Sequence, residues 1–162
     1  MTTWPGWSDE NTLVLPLGDA PPDGALTLDG RAFAPKDELH VTLVGRELGA
    51  ELRAVLGDRL DAATRPAFEA LDWSLARSGR RVLIEKPGRT DDGERAKVAS
   101  VIELVELPAL DFFYRWLGEL LGRELAVPPA HVTLYTHRKA QGIGIPSLRS
   151  LRAWSQGEVA AA

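Results

Sequence analysis

The chain has no cysteine. That excludes disulfide scaffolds, thiolate zinc sites and cysteine nucleophiles, and it fits a reducing cytosol. Histidine is nearly as scarce, with three residues in all: His40, His131 and His137. Lysine occurs only at Lys36, Lys86, Lys97 and Lys139. No apolar run approaches the roughly 18 residues of a membrane span, and Met1-Thr2-Thr3-Trp4-Pro5 lacks the regions of a signal peptide. The expected location is therefore cytoplasmic, with no membrane partner. A formal charge of −4 leaves no overall basic footprint for long duplex nucleic acid, which is not an expected partner. Local stretches such as Arg80-Arg81 and Arg138-Lys139 still suit a small phosphorylated ligand or a nucleic-acid end.

Against that scarcity, one tetrapeptide occurs twice and starts with histidine both times: His40-Val41-Thr42-Leu43 and His131-Val132-Thr133-Leu134. Chance repetition anchored on so rare a residue is about one in a thousand from composition, well above an ordinary short-motif match. Glu38 to Val44 alternates polar and apolar residues, as does Ala130 to Thr136, and period-two alternation predicts half-buried strands. Residues two apart on a strand share a face. His40 would then sit beside Thr42, and His131 beside Thr133 and Tyr135. Imidazole titrates near neutrality, so two of them can divide the work of base and acid. Threonine hydroxyls can donate to phosphoryl oxygens where charge accumulates. His137 has no counterpart after the first motif.

The remaining pattern predicts one domain over residues 1–162, with an irregular arm at 1–11 and a frayed tail at 158–162. Strands are expected at Thr12–Leu15 and Ala25–Leu28. Helical spacing of Leu48, Leu52, Val55 and Leu56 predicts one helix, and a second is expected from Asp61 to Ala70 around Pro66. Ser78-Gly79 reads as a hairpin turn between short strands, and Thr90-Asp91-Asp92-Gly93 as a stronger one before a strand at Val98–Leu107. Pro108 should open a helix ended by Gly122, with Leu110, Phe113, Leu117 and Leu121 as its apolar stripe. A Gly-rich loop at Gln141–Pro146 precedes a last helix capped by Ser147. Trp73, Trp116 and Trp154 are expected in the core; Trp4 and Trp7 would cover a lobe or form a self-association contact.

The two strand-borne H-V-T-L strings, about half the chain apart, resemble the paired H-x-[T/S]-x signature of the two-histidine phosphoesterase superfamily. That group includes RNA 2′,3′-cyclic phosphodiesterases of the bacterial LigT type. The resemblance implies a bilobal α+β fold, in which two antiparallel sheets surround a central cleft, helices pack outside and the halves are related by a pseudo-two-fold duplication. It implies hydrolysis of a cyclic phosphodiester without metal or other cofactor. His40 and His131 would be the catalytic pair, Thr42 and Thr133 the phosphate-binding hydroxyls, and Tyr135 a contact to base or sugar. The expected partner is a small phosphorylated nucleotide or an RNA 3′-end, and the expected state is a monomer. The alternative is a non-catalytic module binding a nucleotide or RNA end on the same fold. Metal hydrolysis has less support, since no H-E-x-x-H, H-x-H or carboxylate cluster accompanies the histidines. No G-x-S-x-G elbow is present, and Gly142-Ile143-Gly144 lacks a dinucleotide fingerprint.

Overall fold

A computed structural model describes residues 2–160 and shows an α+β protein. Eight strands form one sheet: β1 (Leu13–Pro16), β2 (Leu26–Leu28), β3 (Arg31–Pro35), β4 (His40–Val44), β5 (Ala76–Arg89), β6 (Arg95–Glu106), β7 (His131–His137) and β8 (Ser155–Val159). All the strand pairings are antiparallel. The main path runs β1-β4-β7-β6-β5-β8, with β3 also pairing β7 and β2 pairing β3. Two separate sheets were expected; hydrogen bonding between β4 and β7, and between β7 and β6, makes them one.

Alternation along the strands divides the core in two. Val41, Leu43, Val101, Val132 and Leu134 point to one face, where they meet Leu52, Leu60, Phe68, Phe113 and Leu117. Those partners come from α1 (Arg46–Leu56), α2 (Leu60–Glu69) and α3 (Ala109–Leu121). Val82, Ile84, Val98 and Ile102 point to the other face, which is covered in part by Ile143 and Ile145 and by Leu151 and Trp154 of α4 (Leu148–Trp154). Three helices thus shield one face. The opposite face is open beside its smaller apolar cluster.

Local chemistry explains the helix ends. Pro108 precedes α3, and Gly122 ends it at φ 72, a left-handed conformation that costs glycine little. The Ser147 hydroxyl accepts from the Ser150 amide at 3.1 Å and caps α4. Pro66 lies within α2 without ending it. Trp4 and Trp7 cover α2: the indoles donate to Asp61 Oδ1 and Thr64 Oγ1, both at 3.0 Å. The irregular arm is fixed again at Asn11, whose carbonyl lies where a Cβ on Gly49 of α1 would stand, at 1.5 Å. Only glycine fits there.

Several expectations are corrected. Ser78-Gly79 is no hairpin turn; β5 runs through it, and the register shift between Arg77 and Arg81 absorbs the extra residues. The true turn at Thr90–Gly93 joins β5 to β6. β3 was unforeseen. The expected tail is partly a strand, because β8 pairs β5 through Glu158 and Val159, while Ala161 and Ala162 lie outside the described residues. Trp116 is 39% exposed rather than core, its indole donating to the Ala63 carbonyl at 2.8 Å. Trp73 is buried, and Trp154 is half-buried against the smaller cluster. No helix among the described residues is long and apolar enough to cross a membrane.

Candidate functional site

The two repeated tetrapeptides lie side by side. Val41 of β4 pairs Val132 of β7 in an antiparallel register. Continuing that register places His40 opposite Thr133 and Thr42 opposite His131. Opposed residues of an antiparallel pair share a face, and Val41 and Val132 take the helix-covered one. The two histidines and two threonines therefore project together from the open face. A ladder with this register has a local two-fold axis through the Val41–Val132 pair, exchanging His40 with His131 and Thr42 with Thr133. Opposed Cβ atoms are ~5 Å apart and diagonal ones ~7–8 Å, within reach of long side chains. The histidines form one diagonal of this square and the threonines the other.

The imidazoles are held differently. His131 Nδ1 lies 3.0 Å from the Pro129 carbonyl. A carbonyl can only accept, so Nδ1 carries a proton and Nε2 is left for chemistry. Burial lowers the His131 pKa, as does the charge of His40, while the Pro129 hydrogen bond raises it. His40 is 28% exposed, and its Nδ1 is enclosed, 3.7 Å from Glu38 Oε1 and without a hydrogen-bond partner among the described residues. Its pKa is also lowered, first by burial and then by the charge of Lys36, with Glu38 opposing. Charge on His40 thus disfavours charge on His131, as expected of neighbouring imidazoles.

Tyr135 is not on this face. Thr133 pairs Ile102 while Tyr135 pairs the adjacent Val101, so Leu134 is an extra residue in β7 and forms a bulge. The bulge advances the alternation by one, and the Tyr135 ring turns into the helix-covered core, 4% exposed. Thr136, opposite Ser100, takes the open face instead. His137 faces away as well. Its Nδ1 donates to the Ala32 carbonyl at 2.8 Å, and its ring packs 5.2 Å from Phe33.

Three residues missed in the sequence surround the square. Ser100 of β6 is fully buried on the open face, and its hydroxyl has no partner among the described residues. The Gly-rich loop passes above it: a Cβ on Gly142 would stand 3.5 Å from Thr133 Oγ1 and 3.8 Å from Ser100 Oγ. Gly142, at φ 85, thus brings bare backbone against a motif hydroxyl. Lys36, just beyond β3, reaches the same loop and donates from Nζ to the Ala140 carbonyl at 2.9 Å. No sequence signal marks Ser100 or Lys36, since strand pairing alone brings them to the site.

A separate groove of about 660 Å³ runs along α3 past Tyr114, Arg115 and Arg123. Neither motif lines it. No family model, curated protein or solved structure matches the chain. The chemistry must be argued from the site itself: two imidazoles of lowered pKa, two hydroxyls between them and one nearby ammonium.

Proposed function

We propose that this chain is a phosphoesterase that opens a cyclic phosphodiester by paired-histidine acid–base catalysis. The substrate is a 2′,3′-cyclic nucleotide or the cyclic phosphate on an RNA end. The observation that carries the reading is the Val41–Val132 register, which gathers both repeated motifs into one square of alternating imidazole and hydroxyl. Neither half is useful alone. On this reading the one sheet is two halves joined at that pair, the pseudo-two-fold, bilobal arrangement of the two-histidine phosphoesterases.

The chemistry follows from the square. The phosphate rests between the hydroxyls of Thr42 and Thr133, which donate to its non-bridging oxygens. One imidazole accepts a proton from water as the water oxygen bonds to phosphorus. The opposite P–O bond to the ribose breaks, and the other imidazole gives its proton to the departing oxygen. The product is a phosphomonoester beside a free hydroxyl, and the pair again holds one proton between them. Within the square the neighbours of the imidazoles are hydroxyls. Among the described residues the one carboxylate nearby, Glu38, does not make up a ligand cluster with them, which favours proton transfer over metal ligation. Thr42 is exposed, so the square opens to solvent and a monomer can receive a mononucleotide or an RNA end.

His40→Ala and His131→Ala, assayed on 2′,3′-cyclic nucleotides with product regiochemistry determined, test this. Each proton transfer contributes about 10²–10⁴-fold, so either variant should lose at least two orders of magnitude in kcat while still binding the nucleotide. Unchanged turnover in both refutes the assignment. A wild-type protein that binds these nucleotides without turning them over is a binding module instead.

A further inference from the structure

The interrupted strand opposite β7 brings one more charged group to the square. β3 and β4 both pair β7, in the same direction and along the same edge. Ala34 and Pro35 pair Thr136 and Tyr135, whereas Val41 pairs Val132. The Lys36 amide extends the first segment by donating to the Leu134 carbonyl at 2.9 Å. The chain then leaves the edge at Asp37–Leu39 and returns at His40. Lys36 and His40 are thus the two ends of one gap, facing each other across the Thr133–Leu134 stretch of β7.

The side chain of Lys36 completes the geometry. Ala34 shares the face of Thr136, and by alternation so does Lys36, which is the face of the histidine pair. Its Nζ hydrogen-bonds Ala140 in the loop that carries Gly142 over Thr133 and Ser100. The same residue is held on its other side, because the Ala140 amide donates to Asp91 Oδ2 at 3.0 Å. Asp91 in turn anchors its own amide on the Arg138 carbonyl at 2.9 Å. Two anchors of opposite charge therefore pin Ala140 through the peptides on either side of it, and only the cationic one acts on His40.

We propose that Lys36 is a positioning residue of the histidine square, fixing the 138–142 loop over it and setting a positive charge beside His40 at the edge of the phosphate's place. The proposal rests on the phosphoesterase reading for its substrate, though not for its electrostatics. The charged and titratable groups that act on His40 or pair with it are Lys36, Glu38 and His131, and of these Lys36 is the one lysine ammonium. It opposes protonation of His40, which keeps that ring available as a proton acceptor. It also offsets the negative charge of a bound phosphodiester. An ammonium does this as a compact point charge with three donors, one held by the Ala140 carbonyl and the others available to an incoming oxygen.

The test compares Lys36→Met, Lys36→Arg and Asp91→Asn by two readouts. The first is the proton NMR titration of the histidine ring signals, which are few enough with three histidines to assign through His40→Asn and His131→Asn. Removing the cation in Lys36→Met should move the His40 midpoint upward, and Lys36→Arg should restore it. Asp91→Asn should leave it in place, since that anchor is remote in charge though equal in holding the loop. The second readout is hydrolysis of 2′,3′-cyclic AMP. Lys36→Met should lose about ten- to hundredfold in kcat/KM through misplacement and lost charge. Asp91→Asn should lose less, and Lys36→Arg least. A His40 midpoint identical in wild type and Lys36→Met overturns the proposal, whatever the activity. A clear midpoint shift in a protein that hydrolyses nothing leaves the electrostatic role of Lys36 standing and removes the phosphoesterase reading.

Discussion

On the helix-covered face Glu103 is 4% exposed, and Arg77 engages both its carboxylate oxygens, at 2.7 and 2.9 Å. On the same side the buried Tyr114 hydroxyl donates to the Leu43 carbonyl at 2.6 Å, and the Trp73 indole to the Phe68 carbonyl at 2.8 Å. On the open face the Ser100 hydroxyl and His40 Nδ1 are enclosed with no partner among the described residues. Buried polar groups are ordinarily satisfied, because an unmade hydrogen bond costs about 1–3 kcal/mol. Of the three buried side-chain atoms without a partner among the described residues, two lie at or beside the paired motifs, and the third, Thr90 Oγ1, is in the β5–β6 turn. On the proposed reading, the contrast separates residues that hold the fold from residues placed for chemistry.

Substitutions on the two faces should accordingly have opposite signatures. At the square, His131→Ala should abolish most turnover, by 10²–10⁴-fold, while thermal unfolding shifts little. In the core, Phe113→Ala should cost about 3–5 kcal/mol of stability while the folded fraction keeps its rate per molecule. The Phe113 ring is fully buried and packs edge-on to Phe68 and Trp73 at 6.3 and 5.5 Å. Denaturant melts and single-turnover rates on the same samples would show the crossing, and a histidine variant as unstable as the core variant would erase the distinction.

Arg77→Ala should come next, at about 3 kcal/mol, because it strands a buried carboxylate. Arg77 holds the Glu103 pKa below the usual carboxylate range. The pair's contribution is therefore present above that range and is lost as pH falls through the lowered value. The gap between wild type and Arg77→Ala in urea melts should narrow steadily in acid. A gap constant from pH 7 to pH 3 would mean that the ion pair contributes little.

The open face predicts a pH effect on rate instead. Both square histidines titrate below the ordinary value of 6.5, chiefly because they are buried. If the pair works by sharing one proton, that form is favoured in the free protein on the acidic side of that value, and kcat/KM should peak there. A bound phosphate anion favours the protonated form, so kcat should peak at higher pH than kcat/KM. A kcat/KM rising from pH 6.5 to 8.5 would contradict this. The smallest effect is expected at Tyr135→Phe. Its ring belongs to the helix-covered core, so cyclic-nucleotide turnover should be unchanged and stability should move by less than about 1 kcal/mol. A large loss of turnover would return that phenol to the site.

What was legible in the sequence follows the same division. β4 and β7 alternate cleanly over the motif residues, and α3 is bracketed by Pro108 and Gly122, so periodicity and end signals sufficed. Ser78-Gly79 misled because glycine marks bulges as readily as turns, and only the partner strand decides between them. β8 reads Ser-Gln-Gly-Glu-Val, a polar edge strand with no apolar alternation to reveal it. Tyr135 was misplaced for a related reason. Its alternation with His131 and Thr133 is intact in the sequence, and the extra residue at Leu134 exists only relative to β6. Lys36 and Ser100 reach the site by pairing across the sheet, which a linear pattern does not encode.

That extra residue also decides which side chains the strand offers to the open face. Leu134 acts as a phase shifter within β7: the chain delivers polar side chains outward before it and an aromatic ring inward after it. Sliding the shift past Tyr135 would swing the phenol out beside Thr133 and present a flat surface on which a nucleobase stacks, with both imidazoles untouched. If the substrate is a nucleotide, as proposed, the strand exchanges discrimination by stacking for core packing through the placement of a single backbone irregularity.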